Sequence, residues 1–364
     1  MFNPDHFIPP VEPPRWKAWF FERLPLAQIA AFLSSKEVPR HKHSFWYYFG
    51  GMTLFFFCVQ IVTGILLSLY YQPTPEHAYE SIRTIVNDAP HGWLIRSLHA
   101  WSAHLMVGML FVHMFSVFLM KAYRKPRELM WLSGVALLLL VLGFGFTGYL
   151  LPWDTKAYFA TLIGTEVPKS VPFLGGWSVS LVKGAEYVGE ETLTRMYSLH
   201  VIVLPLIGCV VVAFHLLLNQ FSGVSVPAGT AVSQKPIPFF PDFAYRDIIA
   251  WLAGFAVLIA LATLIPRELG AKADPMASAP PGMKPEWYFL PLYQTLRMVP
   301  ATVFSIEGEL IVNAAVGILV ALWALIPFMD RRSARGLKSP LFTGIGILII
   351  VYIAGTILAG YFIP

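Results

Sequence analysis

Seven stretches of the chain are nearly free of charge and long enough to cross a ~30 Å hydrocarbon layer at about 1.5 Å per helical residue. They are Ser44–Tyr71, Leu98–Met120, Leu129–Leu151, Met196–Phe221, Ile248–Ile265, Leu310–Met329 and Ser339–Pro364. Polar segments of very unequal length separate them. About eight residues join the second span to the third, whereas the connections following the third and fifth spans each exceed forty residues. Two long connections on one face of a bundle predict a site assembled there. Ahead of the first span, "RWKAWFFERLPLAQIAAFLSS" mixes aromatic and charged residues and predicts an amphipathic helix lying in the membrane interface. The stretch rich in Pro, Gly and Ser between the fourth and fifth spans predicts a linker. The expected organisation is an amphipathic segment (1–43), a four-helix unit (44–221), a linker (222–247) and a three-helix unit (248–364).

Composition places this pattern in the all-α integral membrane class: 56% of residues are hydrophobic and 13% charged, with a mean hydropathy of +0.62. The N-terminal "MFNPDHFIPPVEPPRWK" has no charged-then-apolar leader pattern, so insertion is expected to begin with the first span. Segments sharing a side with the N-terminus hold sixteen of the 26 Lys and Arg against eight acids. The positive-inside rule therefore predicts a cytoplasmic N-terminus and a C-terminus on the opposite, positive face, in a bacterial-type plasma membrane. The pI near 9.1 then follows from loop charge beside lipid headgroups and calls for no nucleic acid. Cys58 and Cys209 both fall inside spans and no Cys-x-x-Cys-His occurs, which argues against a disulfide framework or a covalent haem of the usual type.

Histidines inside spans carry the candidate chemistry, because ionisable groups there are costly. His99 and His113 are fourteen residues apart on the second span, and His200 and His215 fifteen apart on the fourth. Helix geometry puts each pair on nearly one face, within about 40° and 60°, its members roughly 21–22 Å apart along the axis. The two spans run in the same direction, so the four rings form two level pairs. Pro205 can loosen a turn and absorb the one-residue mismatch. Each pair suits bis-histidine ligation of a haem iron.

Glycines repeat the spacing: Gly50 and Gly64 on the first span, Gly134 and Gly148 on the third. Singly they read as helix-packing contacts; with a shared period they read as room for a porphyrin edge. His104 lies about 140° from His99 and about 180° from His113. It reads as a hydrogen-bonded packing or lipid-interface histidine.

These residues resemble the cytochrome b family of quinol:cytochrome c (or plastocyanin) oxidoreductases. "FGGMTLFFFCVQIVTG", "RSLHAWSAHLMVGMLFVH", "GFTGYLLPWD", "LTRMYSLHVIVLPL" and "PEWYFLP" occur in the family's order. Seven spans are similar to the chloroplast type, here with both parts in one chain. The resemblance implies two b haems, a low-potential one on His99 and His200 and a high-potential one on His113 and His215. Arg96 and Arg195, otherwise readable as snorkelling interfacial arginines, would offset haem propionates. Glu286 of Pro285–Tyr288 would take the proton of a quinol, with Tyr149 near the same pocket, and Trp287 and Tyr288, otherwise readable as interfacial aromatics, would join the site.

The family further implies a Rieske iron–sulfur partner, a c-type cytochrome or equivalent acceptor, a dimeric complex in lipid, and proton translocation. Arg246 and Asp247 match a pair that some members place at a quinone-reducing site, where Gln220 stands in place of a histidine. Tyr48 stands where chloroplast-type members attach an extra haem through cysteine, so no covalent haem is expected, and Ala100 replaces a basic residue common after the first ligand. Two other readings compete. A di-haem anchor relaying electrons for a dehydrogenase or hydrogenase leaves Pro285–Tyr288 and three spans unexplained. A transporter leaves the four level histidines unexplained, and no internal repeat supports it.

Overall fold

The computed structural model describes residues 14–24, 26–167 and 175–362. Residues 1–13, including most of the proline-rich start, Pro25, 168–174 of the first long connection, and 363–364 lie outside the described residues. Among the described residues, seven helices are long and apolar enough to cross a membrane: Ser44–Ser68, Gly92–Leu119, Glu128–Tyr149, Glu190–Ser222, Phe239–Leu264, Gly308–Ala334 and Pro340–Phe362. The chain is therefore a helical multi-pass membrane protein. Hydropathy locates the spans but shortens some of them. The fourth helix begins six residues before Met196 and the fifth nine before Ile248, because their first turns carry charged residues that an apolar window rejects.

The N-terminal amphipathic element is two helices, Arg15–Arg23 and Leu26–Ser34, not one. Leu24 is extended (φ −115°, ψ 136°), as expected of a residue that precedes a proline in the sequence. Glu37–Val38 then pairs antiparallel with Ile237–Pro238, tying this segment to the stretch before the fifth span.

Apolar side chains that face lipid need no partner, so few residues of each span are buried and these mark the helix contacts. The first span packs chiefly on the second and the third on the fourth, while the fifth lies against the second and first, and the sixth against the third. Phe56, Met106, Leu110, Val141 and Leu258 form the central cluster, drawn from the first, second, third and fifth spans. A second cluster joins Phe118, Tyr123, Trp131 and Val135 to Ile326 of the sixth. Beside it the buried Asp330 carboxylate accepts from Tyr123 Oη (2.7 Å) and Ser339 Oγ (2.8 Å), so its polar atoms are satisfied away from water.

The two long connections meet at the opposite end of the bundle. Trp153, held in the left-handed region (φ 51°), turns the chain into the helix Thr155–Glu166, whose N-terminus Asp154 caps by accepting from Ala157 N at 2.8 Å. Backbone bonds Thr155 N to Ala271 O (2.8 Å) and Ala273 N to Trp153 O (3.1 Å) stitch the first connection to the second. From the second span, Trp101 Nε1 donates to Ile265 O (2.8 Å), and Ser97 Oγ accepts from Arg267 N (3.1 Å). The second connection is thereby held over the end of the bundle that carries His99 and His200.

Candidate functional site

His99 and His200 face each other with ring centroids 6.3 Å apart and planes at 75°. That separation leaves room for one metal between two ring nitrogens at roughly 2 Å from each. The local hydrogen bonds decide which nitrogen is offered. Thr63 Oγ1 lies 2.9 Å from His99 Nδ1 and donates to Val59 O at 2.6 Å. Thr147 Oγ1 lies 3.1 Å from His200 Nδ1 and donates to Gly143 O at 2.9 Å. Ser133 Oγ lies 2.8 Å from His215 Nδ1 and donates to Met130 O at 2.9 Å.

A hydroxyl has one hydrogen, and here a backbone carbonyl takes it, so toward each imidazole the oxygen can only accept. Nδ1 therefore carries the proton in all three rings, and Nε2 keeps its lone pair. This is the tautomer and the outer-shell support of a metal-ligating histidine. His113 differs: its Nδ1 is buried without a hydrogen-bond partner, and Phe49 stands where the other sites have a hydroxyl before the glycine. Among the described residues, no three His, Cys, Asp or Glu side chains converge as a metal group. The facing imidazoles of His99 and His200 fit an iron whose remaining donors come from a porphyrin.

Each glycine of the fourteen-residue pattern lies beside one of these rings. A Cβ at Gly148 would come 2.5 Å from His200 Cε1, at Gly50 3.0 Å from His113 Cε1, at Gly64 3.3 Å from His99 Cε1, and at Gly134 3.5 Å from His215 Cε1. The nearest atoms to the missing Cβ thus belong to the imidazole itself, which adds a reason for glycine to the porphyrin clearance expected from spacing. The fifteen-residue interval on the fourth span is explained by a π-helical turn at Leu199–Val203, just before Pro205. The wider turn takes one extra residue, so fifteen residues there cover roughly the rotation that fourteen cover on the second span.

Arg96 and Arg195 do not reach freely toward an interface. The Arg96 guanidinium donates to Arg267 O and, at 3.3 Å, to Glu268 O, and Arg195 Nη1 to Ser180 O (2.7 Å) and Leu181 O (2.9 Å). Both brace the long connections beside His99 and His200.

Pro285–Tyr288 belongs to the second of these connections. The Glu286 side chain is 13% exposed; its Oε1 is 3.2 Å from Lys156 Nζ and 3.5 Å from Arg267 Nη2, and its Oε2 is 3.9 Å from His104 Nε2. Trp287 Nε1 donates to His104 Nδ1 at 3.1 Å. His104 is indeed turned from the His99 and His113 face, but its partners are Trp287 and Glu286, not lipid. The Tyr288 ring packs over Gly145, where a Cβ would meet its hydroxyl oxygen at 2.9 Å. Burial, reinforced by the nearby Glu286 carboxylate, holds the Tyr288 phenol protonated well above its usual range.

Tyr149 Oη is buried without a hydrogen-bond partner. Tyr149, Phe146, Met283, Glu286 and Phe289 line a largely apolar cavity of about 170 Å³. Ile163, Val167, Tyr293 and Leu296 are shared with a wider neighbouring cleft of about 600 Å³. An apolar cavity with a carboxylate and an unpartnered phenol at its wall suits a small amphipathic ligand with hydroxyl groups.

At the other end of the bundle, Arg246 and Asp247 both lie beside Tyr48. Asp247 packs on Gly51, where a Cβ would come 2.5 Å from the carboxylate, and its Oδ1 is buried without a partner. Gln220 is exposed. Sequence reasoning overlooked Thr63, Ser133 and Thr147, although a hydroxyl residue directly before three of the four glycines was visible. It also overlooked Lys156 and Arg267, which no spacing connects to Glu286.

Comparison with known proteins places these features in a family. The family model described as "Cytochrome b/b6/petB" matches residues 33–222, and that described as "Cytochrome b(C-terminal)/b6/petD" matches residues 272–362. A "Cytochrome bc complex cytochrome b subunit" of Chlorobaculum thiosulfatiphilum is 52% identical over 340 residues, covering 92% of this chain and 78% of that protein. Among solved structures, a chain of a "Hyperthermophilic respiratory Complex III" superposes with a TM-score of 0.84 at 28% identity, covering 95% of this chain and 91% of its own. The chain belongs to the cytochrome b/b6 family, whose members bind b-type haem.

Proposed function

We propose that the protein is the cytochrome b subunit of a bc-type quinol:cytochrome c oxidoreductase, with His99 and His200 holding a low-potential haem and His113 and His215 a high-potential haem. When bound, the two haems supply one-electron carriage across the bilayer. Thr63, Thr147 and Ser133 keep three of the imidazoles in the ligating tautomer, and Gly50, Gly64, Gly134 and Gly148 let the rings sit close to the neighbouring helices. Arg96 and Arg195 stand at the right end of the bundle to place positive charge near haem propionates.

Quinol is oxidised in the cavity that the two long connections line, on the face opposite the cytoplasmic N-terminus. Tyr149 lines its wall beside Glu286, and Glu286 accepts a hydroxyl proton and passes it outward past Lys156, whose side chain is about half exposed. One electron leaves to a Rieske iron–sulfur partner and then to a c-type cytochrome. The second crosses to a quinone-reducing site beside Arg246 and Asp247, where protons are taken up. Release on one face and uptake on the other make the cycle proton-translocating, within a dimeric complex in a bacterial-type plasma membrane.

The observation that carries this reading is the meeting, at one end of the bundle, of the facing His99–His200 pair and a cavity walled by Glu286. Glu286→Gln tests it: quinol oxidation by the assembled complex should fall by at least about tenfold, as for loss of a general base, with both haem spectra intact. Unchanged turnover, or loss of the haems, would overturn the assignment.

A further inference from the structure

His104 is the intramembrane histidine for which the haem pairs have no use. Its side chain is 15% exposed, and its ring meets two consecutive residues of Pro285–Tyr288: Trp287 Nε1 at 3.1 Å and Glu286 Oε2 at 3.9 Å. The rings of Trp101 and Tyr288 pack beside it, with centroids 5.6 and 6.3 Å away.

An indole N–H can only donate. His104 Nδ1 must therefore be the lone-pair nitrogen, and the neutral ring carries its hydrogen on Nε2, the atom that faces Glu286. Lys156 and Arg267 both approach the other carboxylate oxygen, so His104 alone of the three stands at Oε2. At 3.9 Å the contact is within ion-pair reach but longer than a hydrogen bond. The charged groups that act on His104 are Glu286, Arg267 and Lys156.

We propose that His104 is a positioning residue of the quinol-oxidation site, fixed at Nδ1 by Trp287 so that Nε2–H orients the Glu286 carboxylate for proton acceptance. This rests on reading Glu286 as the proton acceptor. Removing the donor makes the basic form of the carboxylate available only at higher pH, whereas a histidine that merely fills space moves no pH profile.

The test uses the purified complex containing the full chain, with kcat and KM for a short-chain quinol measured as a function of pH. His104→Phe should lower kcat by about tenfold with little change in KM, and move the acid limb of the profile upward by roughly half a pH unit or more, with both b-haem transitions kept. His104→Gln, which keeps an acceptor for Trp287 and a donor for Glu286, should recover most of the rate and return the acid limb. Trp287→Phe should reproduce the shift, and the double variant H104F/W287F should add little to either single change.

A wild-type acid limb in His104→Phe, or no recovery in His104→Gln, overturns the proposal. Should Phe at position 104 disturb haem incorporation, Trp287→Phe decides: an unmoved acid limb overturns it. Glu286→Gln in the same preparation separates the two ideas. If that variant is slow while His104→Phe is unaffected, only the role of His104 fails; if Glu286→Gln is unaffected, the reading of the site fails and the proposal with it.

Discussion

The two ends of the helical bundle hold their histidines in different ways. At the end covered by the long connections, both imidazoles are oriented by threonine hydroxyls, and His200 lies so close to Gly148 that a Cβ there would come within 2.5 Å. At the other end Ser133 orients His215, but His113 Nδ1 has no partner and the space at Gly134 is an ordinary 3.5 Å contact. A doubly supported pair has its ring planes and tautomers fixed before any haem arrives. A singly supported pair leaves one ring to be set by the ligand itself. The doubly supported pair is also the one beside the cavity lined by Glu286.

The comparison can be broken most severely at a ligand. His200→Leu should abolish one b-haem absorption transition completely and leave the other, because the two pairs share no residue; loss of both would show that the ends are not independent. A smaller contrast follows from the glycines. Gly148→Ala should displace His200 and remove or strongly broaden the spectrum of the adjacent haem, whereas Gly134→Ala should keep both transitions, and equal effects would contradict the difference in clearance. Smaller again are the hydroxyls. Thr147→Val should weaken retention of the haem on His99 and His200 by roughly 10-fold, the low end of outer-shell effects, in a haem-transfer assay. Ser133→Ala should act only on the other haem, and effects at the wrong end would refute the pairing of hydroxyl to ring.

How much of this was legible in the sequence differs between bundle and site. Lipid excludes charge over a fixed thickness, so the spans stand out from hydropathy alone, and errors fall where a helix runs on into the interface, as at Glu190 and Phe239. His99 and His113 share one helix face by periodicity, and so do His200 and His215, because a helix is a rigid repeat. His104 shows the boundary of that reasoning. Periodicity says which face a residue leaves but not what another part of the chain brings to that face, and Trp287 is 183 residues away. Lys156 and Arg267 were hidden for the same reason: the stitching of two connections near Asp154 and Lys272 carries them to Glu286, and no local pattern encodes that meeting.

The central claim is that two haems lie on two level histidine pairs, and a redox-titrated absorption spectrum of the purified chain tests it most directly. Two resolvable low-spin b-type transitions, at two haems per chain, are expected. One transition or none would contradict the assignment of His99, His113, His200 and His215.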